Sequence, residues 1–245
     1  MTKKRRVLVI GGTSGVGEAV VHALFTEGSY SITVLGRNED KLAMFKQMGI
    51  STIAFDLLSD SPLPSLNYDI LCFSAGVGRF EAAEVTSDAS IEQMLRTNVE
   101  VPIRWTREAI PWMKKNGGQL IYIGSQAGFV PTPKAATYAA SKHALIGYTR
   151  ALRMELKDDA IPVSVIHPGP INTPFIDAAD ATGAYKASLG RWLIEPEEVA
   201  KAVQQVIKRP KKEVHLPRMM KYSSKLYQLM PSFVERVGRS WFEKK

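Results

Sequence analysis

Four apolar residues, Val7 to Ile10, lead directly into Gly11-Gly12-Thr13-Ser14-Gly15-Val16-Gly17, and a helical pattern from Glu18 to Leu24 follows at once. Few folds accommodate that order. A strand that turns through glycines into a helix lays the helix on the face of a sheet, and a following parallel strand closes the unit. The missing Cβ atoms at Gly11, Gly15 and Gly17 let backbone approach a pyrophosphate. Thr13, Ser14 and Val16 sit where a helix N-terminus offers unpaired N–H groups and the positive end of its dipole.

The same alternation continues along the chain. Strands are expected at Val7 to Ile10, Ser31 to Leu35, Thr52 to Phe55, Ile70 to Phe73, Leu120 to Gly124, Val163 to Ile166 and Glu213 to Leu216. Helices are expected between them, near Gly15 to Glu27, Glu39 to Gln47, Ser90 to Met113, Tyr138 to Lys157 and Pro196 to Lys208. This is the pattern of an α/β protein with a Rossmann-type, doubly wound parallel sheet. A length of 245 residues suits one such domain, here residues 1–217, followed by a tail of residues 218–245. The opening Met-Thr-Lys-Lys-Arg-Arg resembles a secretion leader, but the apolar run after it stops at four residues and reads as a first strand. No apolar stretch approaches the roughly 18 residues that would span a bilayer. Cys72, the single cysteine, excludes an internal disulfide and suits a reducing cytoplasm. No metal-ligand cluster is evident, and the scattered His22, His143, His167 and His215 read as helix or core residues.

A second constellation carries chemistry. Ser125 ends the apolar run Gln-Leu-Ile-Tyr-Ile-Gly, and thirteen residues later Tyr138 opens Tyr-Ala-Ala-Ser-Lys, which ends at Lys142. Helical spacing stacks Tyr138 and Lys142 on one face, where an ammonium favours the phenolate. Tyr138 could then exchange a proton with a substrate oxygen, while Ser125, at the C-terminal end of a strand, holds that oxygen from the other side.

With both elements in this order, the chain resembles the classical short-chain dehydrogenase/reductase family from about Val7 to Pro217. The family's glycine loop is matched by Gly11 to Gly17, its Ser/Tyr/Lys triad by Ser125, Tyr138 and Lys142, its helix asparagine by Asn98, and its Pro-Gly-x-x-x-Thr segment by Pro168 to Thr173. The resemblance implies an NADP(H)- or NAD(H)-dependent oxidoreductase. Lys142 would hold the nicotinamide ribose and lower the tyrosine pKa, and Asn98 would anchor a water that feeds protons to that lysine. Pro168, Gly169, Ile171 and Thr173 would bracket the nicotinamide amide. Asp56 and Leu57, with Ser74, Ala75 and Gly76 after the fourth strand, would lie along the adenosine side. Asp56 also reads as a strand-end cap. Two departures stand out, Ile10 for the loop's opening threonine and Phe73-Ser74 for its usual Asn-Asn, and they are expected to cost stability or cofactor affinity rather than chemistry.

Between Leu57 and Tyr68 two prolines leave little room for a helix, so a bare loop is expected to make the third crossover. Cofactor choice falls to Gly36-Arg37-Asn38, about twenty residues past the glycine loop, where an acidic residue would bind a ribose 2'-hydroxyl. Arg37 instead favours the 2'-phosphate of NADP(H). The expected reaction is reduction of a carbonyl, a ketone or aldehyde, to an alcohol. A non-catalytic NADP(H)-binding sensor or scaffold is the alternative, and a nucleotide-sugar epimerase would need a larger C-terminal domain than this chain has room for.

Substrate choice is expected to rest on a lid over Pro174 to Glu195, where Phe175, Ile176, Tyr185, Leu189, Trp192 and Leu193 are apolar, together with Phe129, Val130 and Pro131. Those residues suit a hydrophobic substrate or else pack the lid itself. Family members pair through the helices that carry Asn98 and Tyr138, which implies a homodimer or a tetramer built from it, with Ala144, Leu145, Tyr148 and Leu152 as apolar residues there. Residues Lys208 to Lys245 carry eleven Lys/Arg against three Glu, a net +8 equal to that of the whole chain. Within them Met219, Tyr222, Leu226, Leu229 and Met230 recur at helical spacing, Pro231 breaks the pattern, and Ser232 with Glu235 suggests a capping box for a second helix bearing Phe233, Val237 and Trp241. Such a basic amphipathic tail suits a peripheral contact with anionic membrane, and equally a dock on the lid or on a second subunit. No nucleic-acid motif accompanies the charge.

Overall fold

The apolar runs pair into one sheet. The computed structural model describes residues 4–180 and 183–237, so Trp241 lies outside the described residues. Seven strands, β1 (Arg5–Ile10), β2 (Tyr30–Gly36), β3 (Ser51–Ala54), β4 (Ile70–Phe73), β5 (Gln119–Ile123), β6 (Val163–Pro168) and β7 (Glu213–Leu216), run in the order β3-β2-β1-β4-β5-β6-β7. Every pairing is parallel. Strands β4 and β5 are buried at every position, as parallel strands must be when helices cover both faces.

On one face, α1 (Gly15–Glu27), α2 (Glu39–Gln47) and α8 (Pro196–Lys208) bury Val20, Leu24, Phe45, Val199 and Val203 in one cluster over β1, β2 and β6. On the other, α3 (Asp88–Leu95), α4 (Val101–Asn116) and α5 (Ala136–Glu155) bring Trp105, Met113, Leu145 and Leu152 onto Leu71, Leu120 and Tyr122. Leu145 and Leu152 are thus core residues of the chain's own fold. Helices α3 and α4 form one run, longer at both ends than Ser90 to Met113, and are joined through a π-helical turn at Arg96–Glu100 that includes Asn98. Such turns concentrate at functional sites, because the extra residue re-aims a side chain.

The crossover from β3 to β4 contains no helix, as its prolines require, and Leu66 inserts into the core beneath it. After β6 come α6 (Pro174–Ala179), α7 (Ala184–Leu189) and α8; after β7 come α9 (Met220–Leu229) and α10 (Pro231–Val237), split at Pro231 as expected. Glu235 takes another partner than the expected capping box, for its carboxylate accepts the Tyr227 hydroxyl at 2.7 Å. Chain direction across the sheet reverses between β1 and β4. In open α/β sheets the crevice at such a point, beyond the strands' C-terminal ends, is where ligands bind.

Candidate active site

A cavity of about 880 Å³ opens at that crevice. Its floor is the glycine loop. Gly11 has φ 81°, and a Cβ there would stand 2.6 Å from the backbone of Ala75, so the loop after β1 lies directly on the loop after β4. A Cβ on Gly17 would fall 2.1 Å from the Gly11 carbonyl oxygen, so this glycine permits α1 to pack onto the loop rather than facing the cavity. Thr13 also stands behind the wall, against Gly36. The Gly11 and Gly12 N–H groups both donate to the Leu35 carbonyl, at 2.9 and 3.1 Å. The side chain of Ser14 caps none of the first-turn N–H groups of α1, and Ser14, Gly15 and Val16 line the cavity. The positive end of the α1 dipole therefore meets the open space.

At one end of the cavity Arg37 and Asp56 face each other at 3.9 Å, both side chains about half exposed or more. The Asp56 carboxylate also accepts the Leu58 N–H at 3.1 Å, so the strand-end cap is real, and Leu57 lines the wall beside it. Ser74, Ala75 and Gly76 follow β4; the Ser74 hydroxyl oxygen is buried without a hydrogen-bond partner. A buried, unpaired hydroxyl is costly, and one that lines a cavity is suited to a ligand's polar group. The uncapped helix end, the cradle that a Cβ would fill and this orphaned hydroxyl together fit a dinucleotide with its phosphates at the glycine loop.

At the other end stand Ser125, Tyr138 and Lys142. Ser125 follows Gly124 at the end of β5, and its oxygen accepts the Ala127 N–H at 3.1 Å, which leaves the hydroxyl hydrogen free to donate. Tyr138, in the first turn of α5, is 8% exposed. Burial pushes its phenol up to about 12, partly opposed by a hydrogen bond with Ser125. Burial thus works against the phenolate that the Lys142 spacing suggests. Lys142 is itself buried, its pKa lowered to about 8, and its ammonium donates to the Ile123 carbonyl at 3.3 Å while lying 5.8 Å from the tyrosine ring centroid. Desolvation is the larger influence on the phenol, and it favours the protonated form at neutral pH.

Asn98 lies behind the cavity wall as a brace. Its amide exchanges two hydrogen bonds with the Val77 backbone, at 2.8 and 2.9 Å, and donates to the Ser141 hydroxyl at 3.0 Å. Ser141 in turn donates to the Tyr138 carbonyl at 2.7 Å. The π turn therefore ties the loop after β4 to the helix that carries Tyr138 and Lys142. Pro168, Gly169, Ile171 and Thr173 complete the wall, Thr173 within contact of where a Gly15 Cβ would lie.

The substrate end is aromatic. Phe80 stands edge-on to Tyr138 at 5.7 Å and to Tyr185 at 5.0 Å, and Phe175 lies 5.7 Å from Tyr138. Phe175, Ile176, Tyr185, Leu189, Trp192 and Val130 line the cavity as expected, whereas Phe129 does not. Its ring is buried 4.7 Å from His167 instead. Burial, then the neighbouring His215, holds His167 neutral at about 3, a core residue as expected. Phe80 and Gly78 escaped the sequence reading, although the loop after the Ala-Gly at a strand's C-terminal end was the place to look. A Gly78 Cβ would strike Phe175 at 2.7 Å. The tail contributes to the wall as well: Met220, Ser223, Ser224 and Tyr227 of α9 and Val234 of α10 line the cavity. Ser224 donates to the Gln126 side-chain carbonyl at 2.8 Å, which fixes α9 to the segment that follows Ser125.

Comparison with known proteins identifies the family. The sequence profile of the family described as short chain dehydrogenase matches residues 5–183. The cyclic-di-GMP-binding biofilm dispersal mediator protein of Escherichia coli is 33% identical over 209 residues, 80% of this chain and 86% of that one. The uncharacterized oxidoreductase YbbO of the same species is 28% identical over 87% of this chain and 85% of its own length. Among solved structures, a closed serine dehydrogenase complexed with NADP+ superposes with a TM-score of 0.77 at 28% identity, covering 86% of this chain and 93% of that one. A 4-hydroxyisoleucine dehydrogenase complexed with NADH has the same TM-score at 23% identity over 86% and 96%, a likeness of fold alone.

Proposed function

The chain belongs to the short-chain dehydrogenase family, and we propose that it is an NADP(H)-dependent reductase of a hydrophobic ketone or aldehyde. The observation that carries this reading is Tyr138, a buried phenol held protonated at up to about 12 and hydrogen-bonded to Ser125. When bound, the nicotinamide would supply the two-electron reduction of the carbonyl carbon. The protein supplies everything else. Ser125 donates a hydrogen bond to the carbonyl oxygen, and Tyr138 gives that oxygen its proton as negative charge develops there. Lys142 returns a proton to the phenolate so formed, since a lysine near 8 can hold or release a proton at neutral pH. Asn98, through Ser141, keeps Tyr138 in place, and the proton path from Asn98 to Lys142 belongs to the same proposal. Arg37 at the far end supports NADP(H) over NAD(H), because a guanidinium can bind a 2'-phosphate bidentately. The NADP+ bound by the serine dehydrogenase neighbour points the same way, and the NADH of the other neighbour does not.

A homodimer paired through α3, α4 and α5 is part of the proposal. Ile91, Leu95, Val99 and Ile103 recur every four residues and line a shallow groove on the outer face of α3 and α4. Light scattering at micromolar concentration should give twice the chain mass; a monomer would contradict it. A cytoplasmic location is proposed from the lone, buried Cys72; no described helix is long and apolar enough to cross a membrane. The second reading, a sensor or scaffold that binds NADP(H) without turnover, draws support from the Escherichia coli relative named for binding a cyclic dinucleotide. A screen of ketones, aldehydes, steroids and 3-oxoacyl thioesters with NADPH separates the two. Turnover supports the reductase; NADPH binding without turnover across the screen supports the sensor.

A further inference from the structure

Helix α9 has two apolar faces. Met220, Ser224 and Tyr227, spaced by four and three residues, face the cavity, where Ser224 is anchored to Gln126. Tyr222, Leu226 and Leu229, spaced by four and three residues, fall on the opposite side of the same helix. None of these three lines the cavity, and they are 72%, 47% and 80% exposed. The outward stripe continues through Met230, Phe233 and Val237 at 50%, 53% and 68%. Soluble proteins seldom leave that many large apolar side chains in a row facing water without a partner.

The charge around the stripe selects the partner. Arg218, Lys221, Lys225 and Arg236 are exposed along it, and Glu235, the acidic residue of this stretch, is engaged by the Tyr227 hydroxyl. Lys221 and Lys225 flank Tyr222 and Leu226 on the helix. A second copy of the chain seated face to face would bring like charges together, whereas an anionic lipid surface pairs with the lysines and takes up the apolar stripe. Because α9 is at once the outer stripe and the inner cavity wall, a surface that holds it lies against the substrate end of the site.

We propose that α9 and α10 seat this protein on anionic membrane, with the substrate end of the cavity facing the lipid, so that an apolar carbonyl compound dissolved in the bilayer is its substrate. The substrate half rests on the reductase reading above; the docking half does not.

The test is cosedimentation of the full-length protein with vesicles of phosphatidylglycerol and phosphatidylcholine, or of phosphatidylcholine alone. Sedimentation with the anionic vesicles only, weakening as salt rises, is expected. Leu226→Glu with Leu229→Glu, and separately Lys221→Glu with Lys225→Glu, should each lower the bound-to-free ratio at least about tenfold. Both pairs should retain wild-type NADPH turnover on a water-soluble carbonyl. Turnover of a long-chain ketone presented in the anionic vesicles should fall with the loss of binding. Equal sedimentation with both vesicle types, or with neither, overturns the docking. So does a doubled solution mass that either variant pair abolishes, since the stripe would then be a protein interface. Docking without turnover of any carbonyl leaves the membrane surface standing and removes the reductase.

Discussion

Replacing Arg37 by aspartate should turn over the choice of cofactor. The Arg37 side chain is 66% exposed, and its carboxylate partner Asp56, 49% exposed, stands 3.9 Å away. An exposed pair of that length contributes at most about 1 kcal/mol, so the guanidinium can leave it for a phosphate at little cost. A hydrogen bond to a charged group contributes about 1.5–3 kcal/mol, and each 1.4 kcal/mol is a factor of ten, so loss of Arg37 should lower kcat/KM with NADPH roughly 10- to 150-fold. The new carboxylate also repels a 2'-phosphate and can accept a bond from a ribose 2'-hydroxyl, which helps NADH. Together these should lower the NADPH-to-NADH ratio of kcat/KM by at least about 10²-fold, read from initial rates with each cofactor at low salt. Asp56→Asn is expected to act in the other direction, by up to about fivefold, because a like charge some 4 Å away costs about 1 kcal/mol in water. Equal use of both cofactors by the parent protein, or a ratio that Arg37→Asp leaves unmoved, would refute the assignment.

Lys142→Met should stabilise the protein while abolishing turnover. Burial holds this lysine at about 8, below its ordinary 10.5, so below pH 8 the folded state carries the full cost of the buried charge. Between those values the folded state releases its proton before the unfolded state does, and stability rises with pH. Removing a cost of about 3 kcal/mol should raise Tm by several degrees at neutral pH, with a gain that shrinks towards about pH 10 in calorimetry without cofactor. An unchanged or lowered Tm at neutral pH would contradict this. Gly17→Ala must displace backbone, since its Cβ would sit 2.1 Å from the Gly11 oxygen. A loss of about 1–3 kcal/mol, roughly 2–12 °C in Tm, and weaker NADPH binding are expected, and a variant with the parent's Tm would show that the contact yields freely.

Much of this was readable from residues. The central strand β4 is apolar at every position because both faces of the sheet are covered, and β4 and β7 have the bounds their sequences suggest. Strand β6 runs two residues further, through His167 and Pro168, since a buried polar ring interrupts the apolar signal without interrupting the ladder. The π turn at Asn98 leaves no trace in periodicity, because one extra residue shifts the pattern by less than the usual scatter of a helix face. Spacing placed Lys142 under Tyr138 correctly but is blind to burial, which decides which way the phenol moves. Helix α9 is apolar on two sides, so its sequence gives the helix and not which side meets the protein. That choice is made by tertiary contacts such as Ser224 to Gln126.

The proton donor is the centre of the account, and Tyr138→Phe tests it most directly. Burial holds the phenol protonated, up to about 12, so the hydroxyl is ready to give its proton to a carbonyl oxygen at any pH the protein meets. The substitution keeps the ring that packs against Phe80 and Phe175 and removes the acid alone. With NADPH and a carbonyl substrate found in the screen, kcat should fall at least about 10²-fold, while the Kd for NADPH, read by nicotinamide fluorescence, stays within about twofold of the parent's. Turnover retained by the phenylalanine variant would contradict the mechanism.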